Sequence, residues 1–156
     1  KNVFGEPLQK CRKYSEDDSG SWDDQGFCSE MTKGVHQICF DVKDETIDFS
    51  IKTGQSNWSE DRKNKNHCMC LGAWALYKAK GEGSGDELIC EAIPENALSD
   101  EYINKWNTWN EIGLPDQIRA GVDALYSQCK EQANNDPDKL NYLQDKYDTL
   151  MYIYNN

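Results

Sequence analysis

The stretch His67-Cys68-Met69-Cys70 places two thiols one residue apart beside an imidazole. Several chemistries suit those residue types. A zinc ion takes four nitrogen or sulfur ligands in a tetrahedron, and His36, Cys39, Cys68 and Cys70 supply such a set. His36-x-x-Cys39 has a suitable ligand spacing, whereas Cys68-x-Cys70 is tighter than usual. On a straight strand His36 points to the side of Ile38 and Cys39 to the other, so this set requires a bulge. Thiol redox chemistry is the second candidate. A helix N-terminus lowers a thiol's pKa, and Cys70 lies just ahead of a helix expected from Leu71 or Gly72. A single spacer residue, however, strains a direct disulfide. Nucleophilic catalysis needs a Cys–His pair oriented by a third group, and Cys70 with His36 is the pairing to test. Against all of these stands packing, because a free cysteine behaves as a small hydrophobe. Packing is the favoured expectation, with Cys68 and Cys70 on one strand face opposite Cys39 or Cys90. On that reading the chain has no catalytic residue, no metal and no cofactor.

The elements that position these residues are read from periodicity. Residues 35–42 form a strand, with Ile38, Phe40 and Val42 on one face and Gln37, Cys39 and Asp41 on the other. Residues 44–54 alternate like a strand, but Asp44 suits an N-cap and Gly54 a helix stop, so a helix is expected. Residues 56–66 read as a polar loop, 72–80 as a helix with Trp74 and Tyr77 inward, and 87–93 as a strand ended by Pro94. Ser99 suits the N-cap of a helix running to about Trp109. Ile118, Val122, Leu125 and Cys129 form one helical stripe, and Leu140, Leu143, Tyr147, either Leu150 or Met151, and Tyr154 another. Pro115 and Pro137 open these two helices, the second behind an Asp136 N-cap. The expected fold is α+β: a small β-sheet with packed helices over 1–110, then a C-terminal antiparallel helical hairpin over 111–156, packed on that domain or on a partner.

Composition narrows the function classes. The chain has 156 residues, 28 Asp and Glu against 17 Lys and Arg, and a net charge of −11. Such a chain is repelled by nucleic acid and by anionic lipid, and attracted to basic protein patches. It has no apolar run long enough to span a membrane. Asp17, Asp18, Asp23 and Asp24 crowd residues 15–26, but without the ligand order of a calcium loop. Seven cysteines is an odd count for a disulfide scaffold, which points to a reducing compartment. The chain opens on Lys1 rather than Met, as expected if a targeting segment has been removed.

Several segments in order resemble one family: "NVFGEPLQKC" (2–11), "GFC" and "GVHQIC" (26–39), "DFSIKTG" (48–54), "HCMCLGAW" (67–74) and "ICEAIPENAL" (89–98). Together they are similar to the DUF2237 family, small proteins of undetermined function found in bacteria, including cyanobacteria, and in algae. The resemblance covers about residues 2–107. The chain departs from the family pattern at His67, where the family has Trp, at Ala73, where it has Arg, and at Ile93-Pro94, where it has Thr-His. Lost polar groups and an added hairpin imply a protein recruited to binding.

The expected function is therefore a non-catalytic accessory subunit of a larger assembly, a plastid photosynthetic complex such as a photosystem being one concrete version. The localisation that follows is the chloroplast stroma, with peripheral association to a membrane complex allowed. Trp106 and Trp109 lie one turn apart in a polar helix and, with Tyr147 and Tyr154, form the expected partner-binding surface. The alternative is a small thiol- or zinc-dependent protein built on Cys39, Cys68 and Cys70.

Overall fold

A computed structural model describes residues 1–31, 34–101 and 109–155. The architecture is α+β: short antiparallel strand pairs with helices packed on them, and two long C-terminal helices packed on each other. Strand β1 (Ser29–Met31) pairs with β2 (Gly34–His36), and β3 (Ile38–Asp41) pairs with β4 (Asn66–Met69). In the second pair Ile38 faces Met69, Cys39 faces Cys68, Phe40 faces His67 and Asp41 faces Asn66.

The single strand expected over 35–42 is split at Gln37, where the chain changes partner. The buried Gln37 side chain donates from Nε2 to Asn96 Oδ1 at 2.8 Å. The strand expected over 87–93 reduces to a bridge between Phe40 and Leu88, and Cys90–Ala92 turns into a 3-10 helix. The helix expected over 44–54 shrinks to α1 (Phe49–Lys52). Thr46 is the reason at its front, because its hydroxyl accepts from the Lys43 N–H and donates to the Asp41 carbonyl. Side chains of this kind compete with helical backbone bonding.

Both faces of β3 are buried, for different reasons. Phe40 packs in an aromatic group with Phe49, Trp74 and Tyr77, ring centroids 4.8–6.1 Å apart. On the other face Cys39 bonds to Cys11, and beside it Cys68 bonds to Cys28. Helix α2 (Leu71–Ala79) is buried from Leu71 to Tyr77, and Tyr77 satisfies its hydroxyl by donating to Asp48. Lys78 pairs with the fully buried Glu87 at 2.8 Å, which keeps that carboxylate from being an unpaired interior charge.

Helix α3 (Leu114–Gln132) buries the expected stripe of Ile118, Val122, Leu125 and Cys129 against α2. Trp74 donates to the Gly121 carbonyl at 3.1 Å, and Gln128 and Gln132 accept from the Leu88 and Cys90 N–H groups. Cys90–Cys129 adds a covalent tie. Helix α4 (Pro137–Asn155) starts as expected, with Asp136 Oδ1 accepting from the Asp138 and Lys139 N–H groups. It returns along α3, burying Leu143 and Leu150. Its Tyr142 ring lies against Gly5, where any Cβ would stand 2.6 Å from the ring. Most of the helix expected behind Ser99 lies outside the described residues.

The cysteine expectation is corrected. Six of the seven cysteines form disulfides and only Cys70 is free. The odd count hid three pairs, and the pairs point to an oxidising rather than a reducing environment. Separations of 28, 40 and 39 residues correspond to about 3.5–4 kcal/mol each in the chain-entropy account. Alkylation under denaturing, non-reducing conditions is expected to label one cysteine, Cys70, and all seven after reduction. Peptide mapping by mass spectrometry checks this, and two or more labelled sites without reductant would contradict the pairing.

Candidate functional site

A cleft of about 470 Å³ opens over the His67–Cys70 stretch. Its floor is β4 and the start of α2, and one side is the loop around Ser19–Ser21. The other side is Trp58 with the 3-10 turn Ser59–Arg62. The loop is fixed by the Cys68 N–H donating to the Gly20 carbonyl at 2.7 Å. Gly20 leaves no room for a side chain, since a Cβ there would stand 2.0 Å from the Trp22 ring. Ser21 then takes a left-handed conformation, φ 59°, uncommon for a residue with a side chain. That turn brings its Oγ to 3.2 Å from His67 Nε2.

His67 is sandwiched and buried. Trp58 stacks on its ring at 4.3 Å. Burial, and secondarily the Arg62 charge, depress its pKa to about 3. Burial also lowers the pKa of His36, which lines the same cleft. Arg62 is buried, donating to Asp17 Oδ1 at 2.9 Å and to the Asn66 carbonyl at 2.6 Å. The guanidinium in turn holds the Asp17 carboxyl below its usual range. Arg62 Nε, His67 Nδ1 and His36 Nδ1 find no hydrogen-bond partner among the described residues.

The Ser21–His67 contact has the residue types of a nucleophile and its base, but not the chemistry. A general base works best with a pKa near the operating pH, and an imidazole held near 3 hardly takes a proton at neutrality. Its Nδ1 also lacks the orienting group that such a pair requires. Cys70 sits at the N-terminus of α2, where the helix field favours a thiolate. Burial outweighs that field and raises its pKa, so the group is a thiol.

The structure brings His36, Cys68 and Cys70 to one cleft, as the spacing suggested, but not as a metal centre. Cys39 and Cys68 are bonded to Cys11 and Cys28, so neither sulfur is the thiolate that zinc requires. The zinc set of His36, Cys39, Cys68 and Cys70 is corrected on that ground. The sulfurs of Cys11, Cys28 and Cys39 lie within 4.8 Å of one another because two disulfides sit side by side. Sequence reasoning missed Ser21, weighing residues 15–26 only for their aspartates, and missed Trp58 and Arg62 by reading residues 56–66 as a polar loop. A tryptophan amid "SNWSEDRKNKN" was the available signal.

The expected docking residues are placed differently. Trp106 lies outside the described residues. Trp109 is half-buried against the core, and its carbonyl accepts from Gln117 Nε2. Tyr147 stacks on Tyr126 at 4.1 Å and donates to Asp123. Tyr154 donates to the Pro115 carbonyl beneath the Arg119 guanidinium. Both tyrosines thus hold α4 to α3. The large apolar groups exposed at that end of the hairpin are Ile112, Tyr152 and Ile153, with 48%, 72% and 45% of their surface open. Among the described residues no helix is long and apolar enough to cross a membrane. No family model matches the chain, and no similar curated protein or solved structure is found.

The His67 environment sets a pH dependence. An unfolded histidine titrates near its ordinary value of about 6.5, and the folded one near 3. Between those values the unfolded chain holds the extra proton, so this contribution to stability is complete above the higher value and lost as pH falls toward the lower. His36 acts with the same sign. Urea unfolding at pH 7 and at pH 4.5 is expected to show lower stability in acid, with the slope reduced in His67→Gln. An unchanged slope in that variant would place the titrating group elsewhere.

Proposed function

We propose that the protein is a non-catalytic accessory subunit that docks on a larger protein assembly in an oxidising compartment. The observation that carries this reading is the hairpin end. There Ile112, Tyr152 and Ile153 are exposed on an arm that the Cys90–Cys129 bond and the Trp74–Gly121 contact fasten to the core. Gln117 stiffens the same end by accepting from the Glu111 and Ile112 N–H groups through Oε1. Aromatic and aliphatic groups held in place before binding lose little freedom on docking. The charge of −11 selects partners with basic surfaces. The depressed His67 pKa and the raised Cys70 pKa argue against catalysis in the cleft.

A plastid photosynthetic complex, such as a photosystem, is the concrete version of this proposal. The resemblance over residues 2–107 to a family of cyanobacteria and algae supports it, and the disulfides favour whichever side of that membrane stays oxidising.

Native electrophoresis of a gentle extract from the source is expected to place the chain in a complex far larger than 17.9 kDa. Ile153→Asp is expected to release it while leaving thermal unfolding of the isolated chain within about 0.5 kcal/mol of wild type, the usual scale of surface substitutions. Migration of the native protein at its own mass would overturn the proposal.

A further inference from the structure

A second groove, of about 380 Å³, lies beside helix α4. Asp145, Thr149 and Ile153 follow one another at helical spacing along one wall, with Leu150 next to them. The facing wall is the 3-10 turn Glu95–Leu98 with Ser99 and Asp100. Both walls are held in place before anything binds. The Tyr142 hydroxyl donates to the Glu95 carboxylate and so joins them. Asn96 accepts through Oδ1 from the buried Gln37, and its carbonyl accepts from Ser99 Oγ at 2.8 Å. From Asp145 to Ile153 the groove follows α4 for about 12 Å.

The lining specifies the occupant. Leu98 and Leu150 are buried against the groove, and Ile153 lines it with 45% of its surface open. Around these apolar groups stand the carboxylates of Glu95, Asp100 and Asp145. The one ammonium in the lining, Lys146, is turned over the Tyr142 ring at 5.4 Å. A chain of −11 repels a second copy of itself, as it repels nucleic acid. The complementary partner is cationic. The walls also select its backbone. Helix α4 uses its N–H and C=O groups internally, and the Ala97 and Ser99 N–H groups donate to the Pro94 and Asn96 carbonyls. Such walls present helical backbone rather than a strand edge. A helix suits them, because it satisfies its own backbone and binds through its side chains alone.

We propose that this groove receives an amphipathic basic helix of a partner protein, its large apolar side chains seated on Leu98, Leu150 and Ile153 and its Lys or Arg side chains facing Asp100 and Asp145. The inference rests on the docking reading above and gives it a surface and a partner chemistry.

The test uses the isolated full chain and a dye-labelled helical peptide of about four turns, with leucines on one face and lysines on the other. A counterpart carries glutamate in place of lysine. Fluorescence anisotropy is expected to show saturable micromolar binding of the lysine peptide, with the glutamate peptide at least about tenfold weaker, the factor set by about 1.4 kcal/mol. NMR shifts are expected to centre on Leu98, Thr149 and Ile153. Ile153→Asp makes the chain more acidic, so attraction by charge alone would tighten binding; the groove predicts a loss of about tenfold or more. Asp145→Lys, at an exposed position, is expected to weaken binding about threefold, the scale of one surface charge pair. Equal binding of the two peptides, shifts centred elsewhere, or undiminished binding in Ile153→Asp would overturn the proposal. A negative result on a chain that migrates natively in a large complex overturns the groove and leaves the docking reading standing. Native migration at the chain's own mass overturns the docking reading alone, since peptide binding is read on the isolated chain.

Discussion

The side-by-side disulfides at the middle of the β3–β4 pair are the constraint on which the rest depends. Cys39 and Cys68 stand directly opposite each other, yet each bonds outward, to Cys11 and to Cys28. A two-stranded ladder is marginal in water by itself. Here the two bonds clamp the loop-rich N-terminal segment over one face, which buries that face without needing further strands. Local bonds complete the clamp. Asn2 accepts from the Phe4 and Glu6 N–H groups, and the Val3 N–H donates to the Ile93 carbonyl. The N-terminal loops thereby replace the second layer that larger sheets obtain from helices.

The cleft follows from that clamp. With Cys28–Cys68 holding the loop above β4, Gly20 and Ser21 are pressed against the strand and Ser21 meets His67. The same closeness removes water from His67, Arg62 and Asp17. Two of the three, Arg62 and Asp17, neutralise one another, and the third is forced to be neutral. The depressed pKa leaves the His67 imidazole a poor proton acceptor at neutrality.

On the opposite face the aromatic group of Phe40, Phe49, Trp74 and Tyr77 joins β3 to α2, and α2 to α3. Helix α3 is therefore part of the core, whereas α4 reaches it through two buried leucines and a row of tyrosine contacts. The mechanical consequence is a graded arm. It is covalently tied near Cys129, aromatic along its length, and apolar and open at Ile112, Tyr152 and Ile153.

The sequence by itself determined the features whose causes are local. Helices α3 and α4, their proline starts, the Asp136 cap and the buried stripe from Ile118 to Cys129 depend on residues within one or two turns of each other. The inward Trp74 and Tyr77 of α2 were legible for the same reason. The tertiary structure decided everything that closes over a distance. Which cysteines pair is set by loops of 28 to 40 residues returning to one strand pair, and a count of seven carries no information about that closure. Burial on both sides turned the alternation at 35–42 into two short strands with different partners. The cleft was invisible because Ser21, Trp58, Arg62 and His67 come from three separated segments. The neutrality of His67 is a property of desolvation, which exists only once the chain has folded around it.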